Sequence, residues 1–453
     1  MQISVVGLGK VGLSLASCVA AAGHRVIGVD VDAGLVDALN AGTYRTPEPG
    51  VLERLAQAPA GTFTATTDIA SAVKQTEFTF VVVPTPSNTL GGFSLRFLLP
   101  ACDAIGAGIR AKASPHTVAV VSTILPGSSD ATVIPRLETA SGRTIGPGLG
   151  YCYNPSFIAL GEVVKGIVKP DYVLIGEADA RSGDLTMSIH ESIVTTKFPV
   201  ARMSPAEAEI TKIASNTHET MRVSFANMLL SICSEVPGAD VDRITEALAH
   251  RMGRRFFKGA LPYGGPCWPR DNQAFSVFMD AIRSPSTLPR AVDTFNEEHA
   301  RYVLRKILGV TAPGQTVGLL GMAYKPGTPV TERAFAMDLA AWLPREGRKV
   351  CGWDPLALPD VRRALGDSIG YAETAEECLR TSKVAIVTIP SPELTSVDWH
   401  AAAKTTVVDG WRCLSPAAIA ACGTYVALGR GPKAPVGPWI HHVAGDYFDL
   451  LTG

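Results

Sequence analysis

The first twelve residues, MQISVVGLGKVG, constrain the fold of this chain more than any other stretch. An apolar strand runs into Gly7, Gly9 and Gly12, and these open the small-residue run LSLASCVAAAG, which reads as a helix closed by Gly23. A sharp turn from strand to helix needs glycine where backbone is approached closely, and it aims the helix's first N–H groups past the end of the strand. His24 to Asp32, HRVIGVDVD, supplies a second strand, so the chain opens as a βαβ unit.

In that context the GxGxxG spacing, with Asp30 closing the second strand, points to a dinucleotide site. Gly7, Gly9, Lys10, Val11 and Gly12 would cradle the pyrophosphate, and the Asp30 carboxylate would take the adenosine ribose hydroxyls. The alternative is a glycine turn that only packs helix on sheet. No arginine accompanies Asp30, Val31 and Asp32, and two carboxylates repel a 2′-phosphate, so NAD is expected rather than NADP.

Strand candidates at Thr79 to Val83, Val118 to Val121 and Tyr172 to Ile175 alternate with helical stretches, which predicts a doubly wound parallel sheet. From about Pro205 to His299 the pattern is helical, and then TVGLLGMAY, KVCGWDP, VAIVTIP, TTVVDG and TYVALG start a second alternating region. The expected fold class is α/β: two Rossmann-like doubly wound parallel-sheet domains joined by a central helical domain. The expected boundaries are 1–198 for the NAD-binding domain, 199–305 for the helical middle and 306–453 for the C-terminal domain.

Basic and acidic residues nearly cancel, 41 against 42, which leaves no electrostatic footprint for nucleic acid or an anionic membrane. A small-molecule partner is the expectation. Nine dispersed cysteines, without CxxC pairs or zinc-ligand spacing, read as reduced thiols with no metal site. The N-terminus has no basic region or cleavage site, and no apolar run reaches bilayer length, so a soluble cytoplasmic protein is expected.

One loop stands apart. GGPCWPRD, Gly264 to Asp271, sets Cys267 between a glycine pair and two prolines, as if to fix a thiol in place. Read alone, Cys267 is a nucleophile or a packed, inert thiol. Lys212 and Asn216 are four apart and share a helix face.

These motifs together resemble the UDP-glucose/GDP-mannose dehydrogenase family over nearly the whole chain. In order they are GLGKVG, EPG at Glu48 to Gly50, VPTP, STILPGSS at Ser122 to Ser129, NPSF at Asn154 to Phe157, KIASN, GGPCWPRD and GMAYKPGT at Gly321 to Thr328. The resemblance implies two NAD-dependent oxidations of a nucleotide sugar's C6 alcohol at one site, through a cysteine-bound intermediate, to a uronic acid. It makes Cys267 the nucleophile, Lys212 and Asn216 the binders of the reacting oxygen, Asp271 the proton acceptor or water activator, and Thr123 the holder of a water. It places Thr85, Pro86 and Thr123 with the cofactor, although Thr85 read alone caps a turn. Asn154, Ser156, Phe157, Lys212, Asn216, Tyr263, Gly264, Lys325 and Arg333 fall with the substrate. Arg254, Arg255 and Lys258 are basic enough to meet its diphosphate, and the helical middle resembles a homodimerisation element.

The chain also departs from the family pattern. NPEFxxEG becomes NPSFIALG, so two carboxylates become Ser156 and Leu160, with Glu162 two positions further on. KPxTDDxRES becomes KPGTPVTERA, with Pro329 and Val330 for the aspartates, Glu332 at the arginine position and Arg333 next to it. Tyr172 replaces an arginine, Met228 a glutamate and Arg270 a lysine. Two outcomes follow: ordinary four-electron oxidation with Asp271 and bound waters carrying hydrolysis, or an altered oxidation that stops at an aldehyde or thioester or acts on a related nucleotide-linked alcohol. A non-catalytic nucleotide-sugar sensor is a third reading, and retention of Cys267, Lys212, Asn216 and Asp271 argues against it.

Overall fold

The computed structural model describes residues 1–253 and 256–431. They form two compact units: Met1–Asn216 with Arg270–Ser286, and Thr217–Pro269 with the chain from Thr287 onward.

The first unit holds an eight-stranded sheet of β1 Gln2–Val6, β2 Arg25–Val29, β3 Phe63–Thr66, β4 Phe78–Val81, β5 His116–Val120, β6 Leu149–Tyr153, β7 Val173–Glu177 and β8 Val200–Met203. The order is β3-β2-β1-β4-β5-β6-β7-β8. Strands β4, β5 and β6 are buried along their whole length, as central parallel strands covered on both faces must be, and so they read as apolar runs. The crossover helix Lys10–Ala21 buries Leu13, Leu15 and Val19 in a core with Ile3, Val5 and Phe80.

The parallel expectation holds except at β6 and β7, which pair antiparallel with Tyr153 opposite Gly176. An antiparallel neighbour needs no return across the sheet, so the connection containing Asn154, Ser156 and Phe157 turns back at the carboxyl edge. That edge is where doubly wound sheets bind ligands.

The second unit holds β9 Thr316–Leu320, β10 Lys349–Trp353, β11 Gly370–Tyr371, β12 Val384–Val387, β13 Thr406–Asp409 and β14 Thr424–Ala427, in the order β11-β10-β9-β12-β13-β14 and parallel throughout. Its core gathers Val317, Leu319, Leu339 and Ile386. Between the sheets in sequence lie the helices Pro205–Glu235, Val241–Met252, Trp268–Ala281 and Thr287–Gly309. Among the described residues no helix is long and apolar enough to cross a membrane, and no group of three His, Cys, Asp or Glu side chains is placed to hold a metal.

Candidate active site

The glycine turn is built as a dinucleotide cradle. Gly7 adopts φ +94°, and a Cβ there would stand 2.4 Å from the Val82 carbonyl oxygen. At Gly12 a Cβ would lie 1.8 Å from the Gly7 carbonyl oxygen, so helix and turn meet only through glycine. Gly9 faces open space instead, with nothing within 4 Å of its Cβ position, which leaves room for a phosphate against the backbone. No side chain caps the helix that starts at Lys10, so its orphan N–H groups stay available to an anion. Asp30 closes the arrangement by accepting from the Leu8 N–H at 2.7 Å. This turn, with its open Gly9 face and uncapped helix, fits NAD.

Thr85 and Thr123 follow β4 and β5 and are tied together, the Thr85 hydroxyl donating to the Thr123 carbonyl at 2.7 Å. That bond ties the loop after β4 to the loop after β5 and is not the local turn cap that Thr85 read alone suggests. The Pro86 carbonyl accepts from the Ser94 N–H at 2.8 Å.

Three side chains on one face of the helix Pro205–Glu235 then hold the loops of the first unit. Glu209 accepts from the Gly127 and Ser129 N–H groups at 2.5 and 2.9 Å and so anchors the Thr123 loop. Burial raises the pKa of its carboxyl, and those N–H bonds oppose the rise. Lys212 donates to the Ser156 carbonyl at 2.8 Å, with its ammonium 4.7 Å from the Phe157 ring centre. Asn216 donates to Asp271 at 2.6 Å. Arg270 completes this chain, 3.2 Å from the other Asp271 oxygen and 4.9 Å from the Phe93 ring centre. Lys212, Asn216 and Asp271 are all buried. A buried carboxylate persists only with such donors, because removing one leaves an uncompensated charge.

Sequence reasoning missed Glu209. The signal was present: residues 209, 212 and 216 recur at helical spacing, so a carboxylate three positions before Lys212 shares its face.

Asn154 is buried, its amide donating to the Leu174 carbonyl at 2.8 Å and meeting His190 Nε2 at 2.9 Å. Desolvation lowers the His190 pKa to about 4. Phe157 meets Tyr172 at 4.7 Å between ring centres. Of the replaced carboxylates, Leu160 packs on the core. Glu162 is exposed and pairs with Lys165 at 2.7 Å.

In the second unit the cysteine loop shows why it needs two glycines. A Cβ on Gly264 would stand 1.8 Å from the Arg333 carbonyl oxygen, and one on Gly265, at φ +89°, would strike the Tyr324 ring at 2.5 Å. The Gly265 N–H donates to the Glu332 carbonyl at 3.1 Å. Tyr263 is pinned from the helix Thr287–Gly309, its hydroxyl on Asp293 at 2.8 Å and its N–H on Asn296 at 3.0 Å. Cys267 is exposed and immediately precedes the helix Trp268–Ala281, whose first N–H groups favour negative charge at that end. Asp271 lies one turn into that helix.

Arg333 takes a left-handed φ of 49°, uncommon for a residue with a side chain, and its backbone braces the cysteine loop while its side chain is exposed. Lys325 is half-buried and Lys258 exposed. Arg254 and Arg255 lie outside the described residues.

A glycine cradle for NAD and a buried lysine, asparagine and aspartate in one unit define a dinucleotide-dependent dehydrogenase. Residues 1–194 match the NAD binding domain of the UDP-glucose/GDP-mannose dehydrogenase family, 206–298 its central domain and 318–416 its UDP binding domain. The chain is 32% identical over 424 residues to a UDP-glucose 6-dehydrogenase of Haloferax volcanii, covering 92% of this chain and 97% of that one. A GDP-mannose 6-dehydrogenase of Pseudomonas syringae is 32% identical over 379 residues, 83% of this chain and 85% of that one. The solved structure of a UDP-glucose dehydrogenase from the archaeon Pyrobaculum islandicum matches with a TM-score of 0.86 at 32% identity, over 94% of this chain and 97% of that one. The chain belongs to the UDP-glucose/GDP-mannose dehydrogenase family and is an NAD-dependent nucleotide-sugar dehydrogenase.

Proposed function

We propose that the chain oxidises the C6 primary alcohol of a nucleotide sugar, with UDP-glucose the first candidate, to the uronic acid through Cys267. The observation that carries this reading is the buried Lys212, Asn216 and Asp271 array, together with the placement of Asp271 one turn into the helix that Cys267 precedes. The Haloferax volcanii relative, matched over 97% of its length, supports UDP-glucose as the substrate to try first.

The Gly7–Gly12 turn would hold two NAD molecules in succession, each supplying acceptance of one hydride. Asp271 takes the hydroxyl proton, and the Lys212 ammonium and Asn216 amide stabilise the negative oxygen that results. The Cys267 thiolate adds to the aldehyde carbon and gives a thiohemiacetal, and loss of its carbon-bound hydride leaves a thioester. Water held by Thr123 then attacks, the carbon–sulfur bond breaks, and the Cys267 thiolate leaves. In this division 1–198 binds the cofactor, 199–305 carries the catalytic groups and 306–453 binds the nucleotide sugar through Lys325 and Arg333. Phe225, Met228 and Ile232 form an exposed apolar stripe on the long helix, which supports a homodimer.

One observation favours, as a second reading, an altered reaction that stops before the uronic acid is released. The segment NPSFIALGE brings no carboxylate inward: Ser156 offers its carbonyl to Lys212, Leu160 packs on the core and Glu162 faces Lys165. Hydrolysis then rests on Asp271 alone, and the thioester accumulates if Asp271 is too slow.

Incubating Cys267→Ser with UDP-glucose and NAD tests the cysteine route, product mass being the readout. Loss of the uronic acid is the expected result. Uronic acid formed at the unsubstituted rate would sink the proposal.

A further inference from the structure

Two cysteines far from Cys267 in sequence are placed as a reactive pair. Cys351 lies in the middle of β10, and Cys378 lies on the helix Ala375–Thr381 packed against it. The Cys378 thiol is 3.4 Å from the Cys351 carbonyl oxygen, and the Thr381 hydroxyl is 3.8 Å from the Cys351 sulfur. Cys351 also lines an open cavity of about 680 Å³ with Lys349, Gly370, Tyr371 and Thr381. Cys351, 7% exposed, borders that solvent-connected space, and Cys378 is fully buried.

The electrostatics agree. The neighbouring Cys378 thiol and the Thr381 hydroxyl oppose burial and hold the Cys351 pKa below its usual value. Proximity to the Cys351 sulfur and burial raise Cys378. Cys102 and Cys152, in the first unit, are instead pushed up to about 12 by burial.

We propose that Cys351 and Cys378 form an oxidisable dithiol, a modification site for hydrogen peroxide distinct from Cys267. The Cys351 thiolate attacks one peroxide oxygen, the O–O bond breaks, and hydroxide leaves Cys351 as a sulfenic acid. The Cys378 sulfur then attacks the sulfenic sulfur, the S–O bond breaks, and water departs with the Cys378 proton. Two electrons pass from the thiol pair to one peroxide, leaving a disulfide.

The test uses the full-length chain carrying Cys267→Ser, so that the exposed thiol cannot report. Peroxide treatment, alkylation and peptide mass spectrometry are expected to show a Cys351-to-Cys378 linked peptide that dithiothreitol reverses. In Cys378→Ser, which keeps a donor beside Cys351, the sulfenic acid has no thiol partner and dimedone should label Cys351 at least about ten-fold more than Cys102, and Cys378→Ala should be labelled less than Cys378→Ser. Cys351 and Cys378 both remaining open to alkylation, with no dimedone adduct in either variant, would overturn the proposal.

Discussion

The two sheets share one plan and use it differently. Strands β1 to β6 and β9 to β14 follow the same order, and each first strand ends in a glycine that donates to the end of the second. Gly7 bonds the Val29 carbonyl at 2.7 Å, and Gly321 bonds the Trp353 carbonyl at 2.8 Å. Each second strand is closed by an aspartate that takes N–H groups from the turn: Asp30 from Leu8, Asp354 from Met322 and Ala323.

What differs is what each turn leaves unspent. Asp354 is buried and accepts two further N–H bonds, from Leu356 and Ala357, so its carboxylate is consumed by the fold. Asp30 is partly exposed and, among the described residues, accepts from the Leu8 and Asp32 N–H groups alone. Gly7 leads through Gly9 into a helix at Lys10, whereas Gly321 leads through Met322 and Ala323 and no helix starts before Phe335. A strand, a glycine and an aspartate are scaffold; the cofactor site is made by backbone N–H groups and a carboxylate left for a ligand.

Paired substitutions should split these roles. Asp354→Ala strands four N–H groups, so chemical denaturation should show a loss of about 3 kcal/mol or more, with NAD affinity unchanged in the protein that folds. Asp30→Ala is expected to weaken NAD binding about ten- to a hundred-fold by calorimetry while stability moves by less than about 1 kcal/mol. If Asp354→Ala abolished NAD binding in folded protein, the comparison would fail.

A further difference is expected in acid. His116 and His190 belong to the first unit and His299 to the second, with pKa values lowered by desolvation to about 3, 4 and 4. Below pH 6.5 the unfolded chain takes up protons that these folded imidazoles refuse, so their contribution is lost as pH falls from 6.5 towards 4. The first unit should lose about twice as much, on the order of 1 kcal/mol per pH unit for each histidine. Hydrogen exchange in β5 and in the helix Thr287–Gly309, followed from pH 6.5 to 4.5, compares the two. Equal losses would mean that the units open together.

Much of this was legible in the sequence, because the signals were local. GLGKVG with Asp30, the shared face of Lys212 and Asn216, and the glycine pair before Cys267 each depend on spacing along the chain. Glu209 was visible only once its face was counted. The reversal of β7, the Arg270 contact with Phe93 and the surface pairing of Glu162 depend on which distant segments meet, and spacing does not encode that. KVCGWDP repeats the plan of HRVIGVD, but nothing in it shows that Asp354 would be used up by its own loop.

Despite Ser156 and Leu160, the enzyme is expected to carry its substrate through both oxidations. Counting NADH formed per UDP-glucose consumed, with the product weighed, tests it most directly. Two NADH and a uronic acid are predicted. One NADH with a free aldehyde, or a thioester left on Cys267, would contradict the account.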